Sequence, residues 1–194
     1  MKSAKTKDGG VPLYQMKITL KWSKPPIWRR VVVPADMTLD QLHWVMQLAM
    51  GWTNSHLHQF VAGQACYGML DPEIGDFGDE TEDERDFTLA DLAPAAKTKF
   101  VYEYDFGDGW EHEVRVEKVL PPDAGFKHPL CLDGANACPP EDCGGMQGYY
   151  NLLEALGDPK HPEHEELTDW IGGPFDAGEF DLAGANGRLK SLKA

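Results

Sequence analysis

Thr38-Leu-Asp-Gln-Leu-His-Trp-Val-Met-Gln-Leu-Ala-Met-Gly51 is the stretch that decides the fold of this 194-residue chain. Thr38 and Gln41 have the spacing of a capping box, in which each side chain binds a backbone amide of the first helical turn. Apolar residues recur at intervals of three and four, and Gly51 supplies the left-handed residue that ends many helices. The sequence therefore predicts one amphipathic helix over 39–50, with an apolar face that packs on another layer.

Alternating apolar and polar residues on both sides of this helix predict strands. Tyr14 to Trp22 alternates at every position, which places its apolar side chains on one face of a sheet. Gly107-Asp-Gly109, between two similar runs, is typical of a hairpin turn. Strands are predicted over 14–22, 27–33, 57–62, 99–106 and 110–120.

Helical patterns follow the last predicted strand. They favour helices at 146–156 and 162–171, and a third, short helix within 175–192. We therefore expect an α+β fold, in which a mixed β-sheet packs on one long capped helix. The expected core is β-grasp-like, ordered β-β-α-β-β-β, with a C-terminal helical cap. A single domain is expected over 13–192, after a polar tail at 1–12.

Acidic side chains dominate the chain, with 32 Asp and Glu against 18 Lys and Arg and a net charge of −14. Nine of the acids lie in 71–86, a run that repels itself and predicts a solvated acidic loop inserted in the domain. Because nucleic-acid binding requires clustered cations, the net charge disfavours direct contact with nucleic acids and with anionic membranes. It suits instead a protein partner with a basic surface.

The sequence also gives an expectation about location. No apolar run approaches the roughly 20 residues of a membrane span, and the charged opening lacks the apolar region of a signal peptide. We therefore expect a cytoplasmic protein. Thiols stay reduced in the cytoplasm, where a cysteine cluster more often binds metal than forms disulfides.

Three of the four cysteines lie close together in a loop that Pro139 and Pro140 stiffen. With one histidine they supply the four N or S donors that Zn²⁺ prefers, namely His128, Cys131, Cys138 and Cys143. The spacing lacks the paired C-x2-C arrangement of common zinc sites. Two alternatives stay open: a thiol switch or disulfide, and simple packing of small apolar thiols beneath the prolines.

A second candidate site combines histidines and carboxylates of the predicted strands. A strand over His56 and His58 would direct both rings to one face, and His112 belongs to the later hairpin. Together with the turn carboxylates they form a candidate metal site that could activate water for hydrolysis, comprising His56, His58, His112, Asp105 and Asp108. In the alternative interpretation His56 and His112 are buried, hydrogen-bonded members of an aromatic core with Phe60, Tyr102 and Tyr104.

Several motifs along the chain, in one order, resemble those of a known family. They are Pro26–Arg30, Leu39–Trp52, His56–Phe60, Tyr104–His112, Cys138–Gly145, Gly148-Tyr149, His161–His164 and Trp170. The chain thus resembles the ORF-three-like family first named from Ri plasmids, over nearly all of Tyr14 to Leu192. The resemblance implies an α+β fold and no established biochemical function.

The same family is sometimes labelled a transposon passenger or a TnpR-like resolvase. A recombinase stabilises a pentavalent phosphate with several arginines around its nucleophile, and this sequence has no such cluster. We therefore carry no catalytic role over from that label.

The function that we expect is binding without catalysis, as an adaptor that the resemblance associates with mobile elements. The expected working surface joins the cysteine loop, the hairpin turn and the His56 segment. Its candidate binding residues are Asp108, Trp110, Glu141 and Asp142. The alternatives are a metal-dependent hydrolase that uses the His/Asp site and a nucleic-acid accessory protein.

Overall fold

The computed structural model describes residues 10–70 and 81–192. The strands are β1 (Leu13–Leu20), β2 (Trp28–Pro34), β3 (His58–Ala62), β4 (Ala65–Gly68), β5 (Thr81–Asp83), β6 (Lys99–Tyr104), β7 (Trp110–Leu120) and β8 (Leu130–Ala135). The helices are α1 (Leu39–Met50), α2 (Leu89–Leu92), α3 (Gly145–Gly157), α4 (His164–Ile171) and α5 (Leu182–Leu189), with a 3₁₀ turn at Glu84–Asp86. None of the helices in these two ranges is long and apolar enough to cross a membrane.

All eight strands belong to one sheet, in the order β5-β4-β3-β6-β7-β1-β2-β8. Neighbouring strands are antiparallel except β4 and β5, which are parallel. The sheet is therefore mixed and the fold is of the α+β class, as predicted. β1 lies between β7 and β2, so that the first strand of the chain is an interior strand of the sheet.

The two faces of the sheet differ in chemistry. The inner face packs against α1, and its fully buried side chains include Met16, Ile18, Val31, Phe60, Tyr102 and Val114. Burying a large apolar side chain of this kind contributes about 1.5–3 kcal/mol. The outer face carries the alternate residues of the same strands, which are mostly polar and, apart from residues such as Gln15 and Val32, half-buried or exposed. The core thus lies on one side of the sheet only.

The predicted central helix is confirmed at both of its ends. The capping box is formed, with the Thr38 amide donating to Gln41 Oε1 at 3.3 Å. Gly51 has a φ of 100° and its amide donates to the carbonyl of Gln47, which ends the helix. The predicted C-terminal helices are present as α3, α4 and α5, and α5 packs on both α1 and β8.

Three strands were not predicted, and β8 corrects the view of the cysteine segment. β8 pairs with β2, with Cys131 opposite Val31, so the segment begins as a strand and only then becomes a loop. The sequence of β8 is short and contains Gly134, and a glycine within a segment weakens the prediction of a strand. β4 and β5 are shorter still, at four and three residues.

The predicted acidic loop lies partly outside the described residues, at 71–80. Within 81–86 the expectation of a solvated loop is wrong. There the chain adds β5 to the sheet and then forms a 3₁₀ turn, in which Glu84 is 4% exposed. Glu84 Oε2 lies 2.8 Å from His58 Nε2, so a buried partner stabilises this acidic residue in the fold.

Candidate functional site

Three segments that are distant in sequence meet at one corner of the fold. We call this region the corner, and it comprises residues 52–56, 105–109 and 139–145. The Trp52 indole donates a buried hydrogen bond of 3.0 Å to the carbonyl of Pro139. The Gly144 amide donates to Asp108 Oδ2 at 3.1 Å. The proline-braced loop, the hairpin turn and the segment before β3 are thus adjacent.

Gly145 sets how closely the loop approaches the hairpin turn. Its φ is +67°, which favours glycine, and a Cβ at this position would lie 2.4 Å from the backbone oxygen of Asp108. A side chain cannot be accommodated at that distance without displacing backbone. The Gly144-Gly145 pair is therefore required for the contact between the two segments.

Glu141 anchors the loop from its inner side. Its Oε2 accepts hydrogen bonds from the Thr53 amide at 3.0 Å and from the Thr53 hydroxyl at 2.5 Å, and its Oε1 accepts from the Tyr104 hydroxyl. Burial alone would raise the pKa of Glu141, but the hydrogen bonds from Thr53 and Tyr104 outweigh it and lower the pKa. Glu141 is therefore held as a carboxylate that positions the loop.

The centre of the corner is a group of one histidine and two carboxylates. His56 Nε2 lies 3.1 Å from Asp142 Oδ1 and 3.6 Å from Asp105 Oδ2. One ligand atom of each residue lies within 4.8 Å of the other two. Asp105 is buried, whereas the Asp142 side chain is 70% exposed, so the group extends from the core to the surface.

His56 Nε2 has no hydrogen-bond partner although it is shielded from solvent. The two carboxylate oxygens are close enough for ion pairs, yet neither contact meets hydrogen-bond geometry. A hydrogen bond weakens steeply when it is bent, so short distances alone do not satisfy this nitrogen. The nitrogen thus faces two oxygens without being satisfied by them.

Backbone strain is concentrated around this group. Six non-glycine residues of the described chain have a positive φ, and three of them are Asn54, Asp105 and Asp142, at 58°, 56° and 61°. Asn and Asp adopt this conformation more readily than other non-glycine residues, and such residues cluster at functional sites. At Asp105 the contacts are known: Oδ1 accepts from the amides of Gly107 and Asp108.

A cleft of about 480 Å³ opens beside His56. Its polar edge includes Asn54, His56 and Asp105, and its apolar edge includes Met69 and Phe106. Phe106 is 46% exposed, so the cleft presents an aromatic surface to solvent. A ligand in the cleft would contact the histidine and carboxylate group on one side and apolar side chains on the other.

The distances from His56 Nε2 to the two carboxylates suit a metal ion. Ligands bound to one divalent ion at about 2.1 Å lie roughly 3.0–3.4 Å apart for angles between octahedral and tetrahedral values. The distances of 3.1 Å and 3.6 Å from His56 Nε2 are close to that range. One imidazole and two carboxylates are donors that Zn²⁺ and Mn²⁺ both accept. Coordination would also satisfy the unpartnered nitrogen.

The other two predicted histidines lie elsewhere. His56 precedes β3 instead of belonging to it, so the expectation that it shares a strand face with His58 is wrong. His58 binds Glu84, and its ring stacks on that of His43 with centroids 3.5 Å apart. His112 is fully buried, and burial lowers its pKa to about 4, which keeps the ring neutral. The aromatic-core alternative therefore holds for His112 but not for His56, which is partly exposed at the corner, and His58 is a core histidine that it did not name.

The predicted cysteine ligands do not converge on one point. Among the described residues, the group around His56 is the one set of three ligand atoms close enough to share an ion, and it contains no cysteine and not His128. The four cysteines are free thiols. Burial raises the pKa of Cys131 and Cys138, and raises that of Cys143 to about 12, so these thiols stay protonated. Their geometry favours the packing alternative.

The predicted binding surface is only partly exposed. Trp110 is fully buried, so the expectation that it contacts a partner is wrong. Asp108 is half-buried and engaged by the Gly144 amide, and Glu141 is engaged by Thr53 and Tyr104. Of the four residues only Asp142 is well exposed.

Sequence reasoning missed residues that support the site from within. His43 donates from Nε2 to Asn54 Oδ1 at 2.9 Å and accepts at Nδ1 from the Tyr102 hydroxyl at 2.8 Å. The Gln47 side chain binds both the Tyr102 hydroxyl and the Asn54 amide. A histidine and a glutamine on the apolar face of a predicted helix were the signal for a buried polar network.

Comparison with known proteins agrees with this structure. The family model for plasmid pRiA4b ORF-3-like protein matches residues 12–184. The chain belongs to the plasmid pRiA4b ORF-3-like family.

Two relatives of this family show how far the likeness extends. The uncharacterized protein y4hQ of Sinorhizobium fredii is 41% identical over 172 residues, which are 89% of this chain and 85% of that protein. A crystal structure of the protein of unknown function MM3350 from Methanosarcina mazei Go1 has a TM-score of 0.78 and 34% identity, and the match covers 90% of this chain and 97% of that one. The solved structure thus shares the fold over nearly its whole length.

Proposed function

We propose that this protein is a binding protein that holds one divalent transition-metal ion at His56, Asp105 and Asp142. Three protein ligands leave coordination positions open toward the cleft, where the ion can bind an oxygen-bearing ligand. The observation that carries the proposal is the convergence of one shielded, unpartnered imidazole nitrogen and two carboxylates. A bound cation would satisfy the imidazole nitrogen and both carboxylates at once.

Binding is favoured over turnover by the state of Glu141, a further carboxylate of the corner. A metal ion lowers the pKa of its bound water, and a free carboxylate beside it assists the transfer of the proton. Glu141 adjoins the site, but both of its oxygens accept hydrogen bonds from Thr53 and Tyr104. Glu141 therefore positions the loop and is not free to accept a proton from bound water.

Metal binding is tested by titrating chelator-treated protein with Zn²⁺ and with Mn²⁺ in a calorimeter. We expect one ion per chain, and at least a tenfold loss of affinity in Asp105→Asn and in His56→Gln. Asp36→Asn and His128→Gln are matched controls, because Asp36 is exposed and neither residue belongs to the group. Circular dichroism shows whether each variant is folded.

Equal metal affinity in folded Asp105→Asn and in the unaltered chain would overturn the proposal. If instead Cys131→Ser, Cys138→Ser or Cys143→Ser loses a bound zinc while Asp105→Asn keeps it, the metal site is the cysteine segment. These two results are distinct, since no cysteine is a member of the His56 group.

Hydrolysis is the second candidate, and the open positions toward the cleft favour it, since catalytic metal sites keep such a position for water. Its test is turnover of generic carboxylic and phosphoric esters by the Zn²⁺- or Mn²⁺-loaded protein. Activity that disappears in Asp105→Asn and persists in Asp36→Asn would replace the binding proposal with an enzymatic one.

A further inference from the structure

The outer face of the sheet carries a row of four cations that the sequence does not place together. In the strand register Lys99 lies opposite Arg115, Arg115 opposite Lys17, and Lys17 opposite Arg30. These four residues, called the cation row, cross β6, β7, β1 and β2. Since neighbouring strands are about 4.8 Å apart, the row is roughly 14 Å long.

The row is unfavourable for the stability of the sheet. Like charges that lie directly opposite on neighbouring strands repel each other. Lys99 and Arg30 are relieved by Glu113 and Glu117, at 2.7 Å each. Within the described residues no ion pair involves Lys17 or Arg115, at the centre of the row. Lys17 lies over the Trp28 ring and close enough to Glu117 to help lower the pKa of that carboxyl, so Arg115 is the least compensated charge of the row.

A groove of about 700 Å³ runs along the end of this row. The residues that line it include the cations Arg30, Lys97, Arg115 and Lys118 and the carboxylates Glu117 and Asp133. Both carboxylates pair with Arg30, so the other three cations face the groove without a described ion-pair partner. This region is locally basic although the chain has a net charge of −14.

An aromatic side chain lies directly beside the row. Lys17 Nζ is 4.6 Å and Arg30 Cζ is 5.0 Å from the centre of the Trp28 ring. An anion bound by Lys17 and Arg30 would therefore lie next to an indole that is half-buried at the outer face. Proteins bind single-stranded nucleic acids with rows of cations next to aromatic rings. The phosphates pair with the cations, and the bases stack on the rings.

We propose that the outer face of the sheet binds single-stranded nucleic acid, with phosphates along the cation row and a base on the Trp28 ring in place of the cations that lie over it. A duplex fits less well, because its bases are paired inside the helix and cannot stack on the indole. A phosphorylated peptide would use the cations but has no base for the indole. The proposal is independent of the metal site, which lies at the corner.

Fluorescence anisotropy of a labelled oligodeoxythymidylate of about 15 nucleotides tests the proposal, in EDTA and at salt concentrations from about 20 to about 200 mM. We expect affinity that falls with salt, and a shallower salt dependence, by about one in the logarithmic slope, for each of Lys17→Gln and Arg115→Gln. Trp28→Ala should weaken binding about tenfold through lost stacking. Lys127→Gln and Lys160→Gln, exposed lysines outside the row, are the matched controls and should leave both quantities unchanged.

Three outcomes would overturn the proposal. One is no retention at the lowest salt concentration by protein that circular dichroism shows to be folded. Another is an equal change in affinity and salt dependence in all four charge variants, namely Lys17→Gln, Arg115→Gln and the two controls. That result would indicate a nonspecific effect of positive charge. The third is a labelled duplex, or a phosphorylated peptide, that binds more tightly than the oligodeoxythymidylate.

Discussion

Arg29 and Arg30 are neighbours in sequence and lie on opposite faces of the same strand. Arg29 is 2% exposed, and its guanidinium donates to the carbonyls of Trp28, Ala49 and Ala135 and lies 3.9 Å from the centre of the Phe180 ring. Arg30 is half-buried on the outer face and pairs with Glu117. The inner face uses a cation to join elements of the fold, whereas the outer face presents cations to solvent.

The largest expected effect distinguishes these two arginines. Arg29→Ala should lower the free energy of unfolding by about 3–5 kcal/mol, because it removes several buried hydrogen bonds to a charged group and leaves carbonyls unpaired. Arg30→Ala should cost about 1 kcal/mol or less, as expected for a half-exposed ion pair. Urea denaturation measures both. Equal losses in the two variants would contradict the contrast between the faces.

Acid should destabilise the inner face. Burial lowers the pKa of His43 to about 3 and that of His112 to about 4. Because both values are below the value of about 6.5 in the unfolded chain, the unfolded state binds more protons in this window. The stabilisation is complete above about pH 6.5 and is lost as the pH falls toward 4 and 3. At about pH 5 each histidine should cost about 2 kcal/mol.

The His112→Leu variant measures how much one buried histidine contributes to the pH dependence of stability. The difference in unfolding free energy between about pH 7.5 and about pH 5 should shrink by about 2 kcal/mol relative to the unaltered chain. The matched control is Phe60→Leu, a fully buried residue of the same face that does not titrate, which should leave the difference unchanged. An equal pH dependence in His112→Leu and the unaltered chain would show that His112 does not titrate as its burial implies.

Gly145→Ala should affect the corner more than the whole fold. The positive φ and the approach to Asp108 together predict a displaced loop, at a cost of about 1–3 kcal/mol, and at least a tenfold loss of Zn²⁺ or Mn²⁺ affinity. Gly157→Ala is the control, since nothing lies within 4 Å of a Cβ there. Unchanged metal affinity in Gly145→Ala would show that metal binding does not depend on the position of the loop.

The smallest expected effect concerns the cation row. Arg115→Thr removes a charge that lies opposite both Lys17 and Lys99, and it should stabilise the protein by about 0.5 kcal/mol. Lys160→Thr, outside the sheet, should change stability by less. Thermal denaturation at low ionic strength gives the largest difference, because salt screens the repulsion. A destabilised Arg115→Thr would show that the row is not repulsive.

Much of the fold could be predicted because the signals were local. The alternation of β1, the capping box of α1 and the Gly-Asp-Gly turn each lie within about one element, where sterics and hydrogen bonding act over a few residues. β8 and β5 escaped prediction because their segments are short and because tertiary pairing with β2 and β4 stabilises them. Glu84 carried no sequence signal, since it lies among other acids.

The candidate site was only partly predictable for the same reason. His56, Asp105 and Asp142 were each singled out, but as members of two different groups. Their convergence depends on the loop contacts made by Gly145, Glu141 and Trp52. The net charge of −14 likewise concealed the cation row, because composition does not record strand register.

The sequence by itself determined the α+β class, the central helix and the alternation that directs Arg29 and Arg30 to opposite faces. Only the tertiary structure decided which face is buried, which histidines enter the core, and which residues from three segments meet at the corner. The physical reason is that caps, turns and periodicity are short-range interactions. Burial and the approach of side chains distant in sequence depend instead on how the whole sheet and its helices pack.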